Sequence, residues 1–179
     1  MRIRKPRLLA AITLALSLSL LGAGPASATN AYVFGVGAGT INFPTGVKMT
    51  KFAFSAHAGP QGDGGSLRWT IEDPNAPLDV HVDIDCVNLT HTVSPPGAGG
   101  FIGGTVTRVT GAAGHYGVSQ GDGQVFGIND FGDASGPTPD EFSPYSGRDL
   151  PDTFCRGLGP MPQAPISQGN ININLIDLS

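Results

Sequence analysis

Leu78–Cys86 reads LDVHVDIDC, and its alternation is unbroken. Leu78, Val80, Val82, Ile84 and Cys86 occupy one parity, and Asp79, His81, Asp83 and Asp85 the other. Successive side chains of a strand point to opposite faces, so this stretch predicts a β-strand with one buried and one wet face. The same stretch predicts Cys86 on the buried side, with its disulfide partner on a neighbouring strand.

Working outward, the pattern repeats. Lys48–Ala58 places Phe52, Phe54 and Ala56 on one face, and Ser66–Glu72 places Leu67, Trp69 and Ile71 on one face. Phe101–Val109, Gln124–Asp130 and Asn170–Leu178 read as further strands, and Ala31–Phe43 as a first strand loosened by Gly35, Gly37 and Gly39. Thr153–Cys155 reads as a short strand end. Turn residues separate these segments: GPQGDGG, DPNAP, SPPGAGG and a second QGDG at Gln120–Gly123. Glycine and proline punctuate the chain too densely for long helices, and no segment shows apolar spacing of three and four. Seven or eight short strands with Gly/Pro-rich loops predict a single all-β domain, an antiparallel sandwich or a closed barrel. Closure would remove an aggregation-prone edge, and the last strand is well placed to close against the first or second. The expected core comprises Phe52, Phe54, Leu67, Trp69, Ile71, Val80, Val82, Ile84, Phe126, Ile128, Ile171 and Ile173.

The first 28 residues read as a secretory leader. Four cationic residues in MRIRKPR precede an apolar run, Leu8–Leu21, and Ala26-Ser27-Ala28 follows as an A-x-A cleavage site. The run is 14 residues, short of the roughly 20 that a helix needs to span a bilayer. Residues 29–179 then form the single β domain, secreted to the extracellular space. The leader holds four of the ten Lys/Arg and none of the 14 Asp/Glu, so the exported chain has a formal charge of −8. Its remaining cations are scattered, which argues against nucleic acid and anionic membranes as partners. No second long apolar run predicts membrane insertion after cleavage.

Cys86 and Cys155 are the two cysteines. Export into an oxidising compartment predicts that they pair, the competing reading being two separate buried thiols. Neither sits beside a His or in a C-x-x-C pattern, so a catalytic thiol is not expected.

The order of segments also carries a resemblance. Phe52-Ala53-Phe54 is followed by Gly65-Ser66-Leu67-Arg68-Trp69, then Asp83-Ile84-Asp85-Cys86, then Ile102-Gly103-Gly104-Thr105-Val106. An acidic turn at Ile128–Gly132 and a closing Gly169–Ile173 complete the series. In that order the chain resembles small secreted actinobacterial β-rich proteins of unknown function, similar to post-COAP-1 type domains. It departs from them in a longer acidic loop and a Pro-rich connector before the last strand. The resemblance implies a β-rich extracellular domain and brings no catalytic residues with it. With a bacterial source, the glycosylation sequon Asn88-Leu89-Thr90 carries little weight.

The candidate metal ligands are carboxylates. Asp83 and Asp85 share the wet face of the Leu78–Cys86 strand with Asp79 and His81. Successive members lie about 6.6–7 Å apart, too far for one strand to wrap one ion without help from a neighbour. Asp130, Asp133 and Asp140, with Asn129 and Glu141, fall in one acidic loop. Ca²⁺ is the ion such oxygens suit, although the spacing does not match an EF-hand. Ordinary solvated surface is the bland reading of both groups, and no cofactor is expected. The QGDG pairs read as hairpin turn chemistry. The chain lacks G-x-S-x-G, H-E-x-x-H and any Cys–His signature, and its four His are dispersed. The expectation is therefore a non-catalytic extracellular binding or interaction module, recognising an extracellular ligand or a cell-envelope component. The alternative is a small hydrolase or cyclase using acidic residues at a barrel mouth. A structural envelope protein is a third reading, supported only by export.

Overall fold

The structure is a computed structural model, and it describes residues 32–41, 50–93, 96–132, 136–146, 155 and 164–176. The expected leader lies outside the described residues.

The strands are β1 (Tyr32–Ile41), β2 (Thr50–Ala58), β3 (Gly64–Ile71), β4 (Leu78–Val93), β5 (Pro96–Gly111), β6 (Gly123–Asp130), β7 (Glu141–Ser146) and β8 (Ala164–Ile176). Each pairs antiparallel with the next, and β8 returns to β1, closing an eight-stranded barrel. Of the two architectures that the alternation allowed, the barrel is the one adopted. One four-residue helix, α1 (Ala113–Tyr116), lies between β5 and β6. No helix among the described residues is long and apolar enough to cross a membrane.

All twelve expected core residues are buried in one cluster inside the barrel. Two features explain how the interior is filled. First, β1 pairs with β2 without a register shift, its one irregularity against β8 falling at Thr40/Ile41 and not at Gly35 or Gly37. Gly35, Gly37 and Gly39 pair with Ala56, Phe54 and Phe52 of β2. A Cβ at Gly37 would lie 2.6 Å from the Phe54 ring and 2.9 Å from Ile171. Glycine there is the space into which the β2 aromatics lean. Second, Phe52 stacks on Phe142 of β7 at 3.9 Å between centroids, and Phe142 stacks on Phe126 of β6 at 5.7 Å. Such contacts add about 0.5–1.5 kcal/mol each beyond area burial.

Trp69 reaches Gln124 of β6, its Nε1–H donating to Oε1 at 2.9 Å. Gln124 is 1% exposed. A buried indole N–H needs such an acceptor. Gln124 shares the parity of Phe126 and Ile128, and Thr50 that of Phe52 and Phe54, so both polar side chains belong to the inner face. Neither Gln124 Nε2 nor Thr50 Oγ1 has a partner among the described residues.

Four expectations need correction. Cys86 does not face the core. The register slips between Ile84 and Cys86, because Asp85 is an extra residue opposing the Gly104–Gly103 step of β5. Such a bulge exchanges the two faces of the strand beyond it. Val87 and Leu89 therefore turn inward, and Cys86 joins Phe101, Val125 and Cys155 in a small apolar cluster separate from the main core. Nor does its partner come from a neighbouring strand. Cys155 belongs to the connection between β7 and β8, and its Sγ lies 2.24 Å from that of Cys86. The short strand expected at Thr153–Cys155 is absent at Cys155, whose backbone is helical, and Thr153 and Phe154 lie outside the described residues. Finally, the acidic segment after Asn129 is not all loop: β7 lies within it, and β8 begins at Ala164, inside the expected connector. Pro144 and Pro165 mask both strands in the sequence.

Candidate functional site

Charge is unevenly placed. The described residues include ten Asp/Glu and three Lys/Arg, and all three cations (Lys51, Arg68 and Arg108) lie on β2, β3 and β5. Register brings them onto one outer surface. Arg68 pairs with His81 of β4, and His81 pairs with Arg108 of β5, giving a transverse row Arg68–His81–Arg108. Lys51 pairs with Thr70 one row away.

Arg68 Nε and Nη2 donate to the two carboxylate oxygens of Asp79 at 2.9 and 3.0 Å. This planar two-bond pairing is the guanidinium's preferred geometry. The hydrogen bond from Arg68 holds the Asp79 carboxyl below the ordinary carboxylate range, opposed by partial burial and aided by the nearby charges of Arg68, His81 and Arg108. His81 Nε2 lies against Arg108 Nη2 and 3.5 Å from Asp79 Oδ1. Lys51 pairs with Glu72.

Two adjoining depressions share this surface. One, of about 320 Å³, is lined by Lys51, Ala53, Arg68, Thr70 and Glu72 with the edge of Phe52. The other, of about 260 Å³, is lined by Ala53, Ser55, Ser66, Arg68 and His81 with the edges of Phe54 and Leu67. Short side chains form the floor, and Arg68 stands between the two hollows. Donors and acceptors are fixed by one another along the rim.

The sequence-predicted ligands are dispersed. Asp83 is exposed on the outer face of β4, one row from His81, and Asp85 is the exposed bulge residue. Across from Asp83 stand Ser66 of β3 and Thr105 of β5, and Arg68 and Arg108 flank His81 one row away, so the neighbouring strands add no carboxylate beside it. Asp133 lies outside the described residues. Asp130 and Asp140 come together at β8, where their oxygens serve the backbone. Asp140 is 5% exposed; its Oδ1 accepts from Phe131 N at 2.9 Å and its Oδ2 from Ile171 N at 2.7 Å. Asp130 Oδ1 accepts from Gly132 N at 2.8 Å and Oδ2 from Ile173 N at 2.7 Å. No group of three or more His, Cys, Asp or Glu among the described residues is placed to hold a metal ion.

Both QGDG segments are turns. Gly62 and Gly121 have φ of 103° and 91°, a region that costs glycine nothing. Asp63 accepts from Val87 N at 2.8 Å, just beyond the bulge, and Asp122 from Ser119 N at 2.7 Å. The sequon residue Asn88 donates Nδ2 to the Cys155 carbonyl at 3.1 Å, helping to hold the disulfide-linked segment against β4.

Sequence reading found the wet face of β4 but not its pairing with Arg68 and Arg108. The signal was present as parity: Arg68 lies opposite Leu67 and Trp69 in alternation, and Arg108 next to the apolar Val109. Which strands would lie side by side was not.

No protein-family model matches the chain, and neither the curated proteins nor the solved structures include one similar to it.

Proposed function

We propose that this protein is a secreted, non-catalytic binding module that contacts an extracellular ligand or cell-envelope component through the outer face of β2–β5. The observation carrying this reading is the gathering of every described Lys and Arg on that face, around two shared hollows, in an otherwise acidic molecule. The fixed Arg68–Asp79 pair offers donors and acceptors side by side. That suits a polar ligand carrying both, such as a hydroxyl-rich chain or an extended peptide. The barrel interior is occupied by side chains, Phe52, Trp69, Phe126 and Phe142 among them. The acidic residues nearest one another, Asp130 and Asp140, are engaged by backbone N–H groups rather than aimed at a common point, which weighs against a hydrolase or cyclase at the barrel mouth. The family resemblance, with its β-rich extracellular character, points the same way.

Cosedimentation with cell-envelope material tests the reading. The wild-type protein should pellet with the envelope, and Arg68→Ala/Arg108→Ala should lose at least about tenfold in affinity, equivalent to about 1.4 kcal/mol, while keeping the far-UV dichroism of the folded β protein. Equal binding by wild type and variant would remove this face from the proposal.

A further inference from the structure

We infer that the outer face of β1 and β8 is a self-association surface, and that its occupant is a second copy of this chain. The inference does not rest on the binding role proposed for β2–β5. It starts from charge. β1 and β8 are adjacent, and their 10 and 13 residues include no Asp, Glu, Lys, Arg or His. The described residues elsewhere carry ten carboxylates against three cations. Two such molecules repel over most of their surfaces, and the repulsion is least where no carboxylate stands.

The same face holds the two large hydrophobic side chains that stand exposed among the described residues, Phe34 on β1 at 43% and Ile176 on β8 at 49%. Tyr32 pairs with Ile176 and Phe34 with Asn174, so the two side chains lie on one outer surface two residues apart. Along β8, Asn170, Asn172 and Asn174 are all exposed, and Asn174 Nδ2 donates to Asn172 Oδ1 at 2.7 Å, which aligns their amides. A carboxamide carries both a donor and an acceptor, so it complements its own copy across a two-fold axis. Exposed Lys51 and His57 of β2 border the face.

Area sets the strength. Two strand widths by ten residues amounts to about 300 Å² per copy, against about 800 Å² for a standard partner surface. The dimer is therefore weak and concentration-dependent.

Sedimentation velocity of the purified protein over a concentration series is the test. A monomer–dimer equilibrium is expected, and it should tighten as salt is added, because screening removes repulsion without weakening an uncharged contact. Phe34→Asp and, separately, the nearly isosteric Asn172→Asp should each weaken dimerisation at least about tenfold while keeping the wild-type melting temperature, since both side chains are exposed. A monomer at every concentration up to about 1 mM would overturn the inference. So would variants that dimerise like wild type, or a dimer that salt dissolves. Loss of envelope binding in Arg68→Ala/Arg108→Ala with dimerisation intact would separate this surface from the other.

Discussion

Asp140 Oδ2 accepts the backbone N–H of Ile171 at 2.7 Å, and this bond stands where a strand neighbour would otherwise be. β7 pairs with β8 only through Glu141–Pro165 and Phe142–Ala164. Beyond that point, the β8 edge facing away from β1 is met by the Asp140 carbonyl at Ile166 N, by the Asp140 carboxylate at Ile171 N and by the Asp130 carboxylate at Ile173 N. The barrel seam is thus completed partly by side chains. Carboxylates that occupy edge N–H groups also keep that edge from templating another strand.

Asp140→Ala leaves two N–H groups without their acceptor, at Phe131 and Ile171. Unsatisfied buried donors cost about 1–3 kcal/mol each, so urea unfolding should show a loss of about 2–5 kcal/mol. Asp130→Ala, at a more exposed position, should cost less. A chelator should leave the melting temperature of the wild type unchanged, because these oxygens are already engaged. A calcium-dependent melt would contradict this assignment.

Trp69 is the one tryptophan in the chain, so its fluorescence reports the interior directly. Emission should be blue-shifted when folded and move red on unfolding. Trp69→Ala should cost about 3–5 kcal/mol. Gln124→Ala should also destabilise, by about 2–3 kcal/mol, since it strips the indole N–H of its acceptor.

The Cys86–Cys155 bridge closes a separation of 69 residues. The chain-entropy model assigns such a loop on the order of 4 kcal/mol. Reduction should lower the melting temperature while leaving the far-UV dichroism that of a β protein, because the eight strands close without the bridge. Thiol titration of the unreduced protein after denaturation should find no free cysteine.

Asp79 supplies a pH dependence with a definite sign. Its folded-state pKa is depressed by Arg68, so its contribution is fully present above the ordinary carboxylate value and disappears as the pH falls through the lower, folded one. The stability difference between wild type and Asp79→Asn should be constant near neutrality and shrink towards zero in strong acid. A difference that grew on acidification would contradict the Arg68–Asp79 pairing.

Gly37 should not tolerate a side chain. A Cβ there meets Phe54 and Ile171 at under 3 Å, and overpacking of this kind costs about 1–3 kcal/mol. Gly37→Ala should show that loss in chemical unfolding, and Ala38→Gly, on the outer face of the same strand, should not show the clash.

Much of this architecture was legible as parity. Trp69, Val80, Phe126 and Ile171 could each be placed inside because alternation around them is clean. The reading failed where a local event changes parity without changing composition. Asp85 looks like any other wet residue of β4, yet its insertion turns Cys86 outward. β7 was hidden because Phe142 lies between Glu141 and Pro144, in a segment that reads as loop. Gly35, Gly37 and Gly39 looked like weakness until Phe52 and Phe54 were placed opposite them. The candidate face was half legible: Asp79 and His81 announced themselves, but only strand order and register could bring Arg68 and Arg108 beside them.

The closed, filled barrel is the claim on which the rest depends, and the β1–β8 pairing tests it most directly. Amide hydrogen exchange and cross-strand NOEs, read at Gly37 against Ile171 and Gly35 against Ile173, should show close contacts and strongly protected amides along both strands. Rapid exchange throughout β1, with no NOE to β8, would mean an open sheet and would contradict the account.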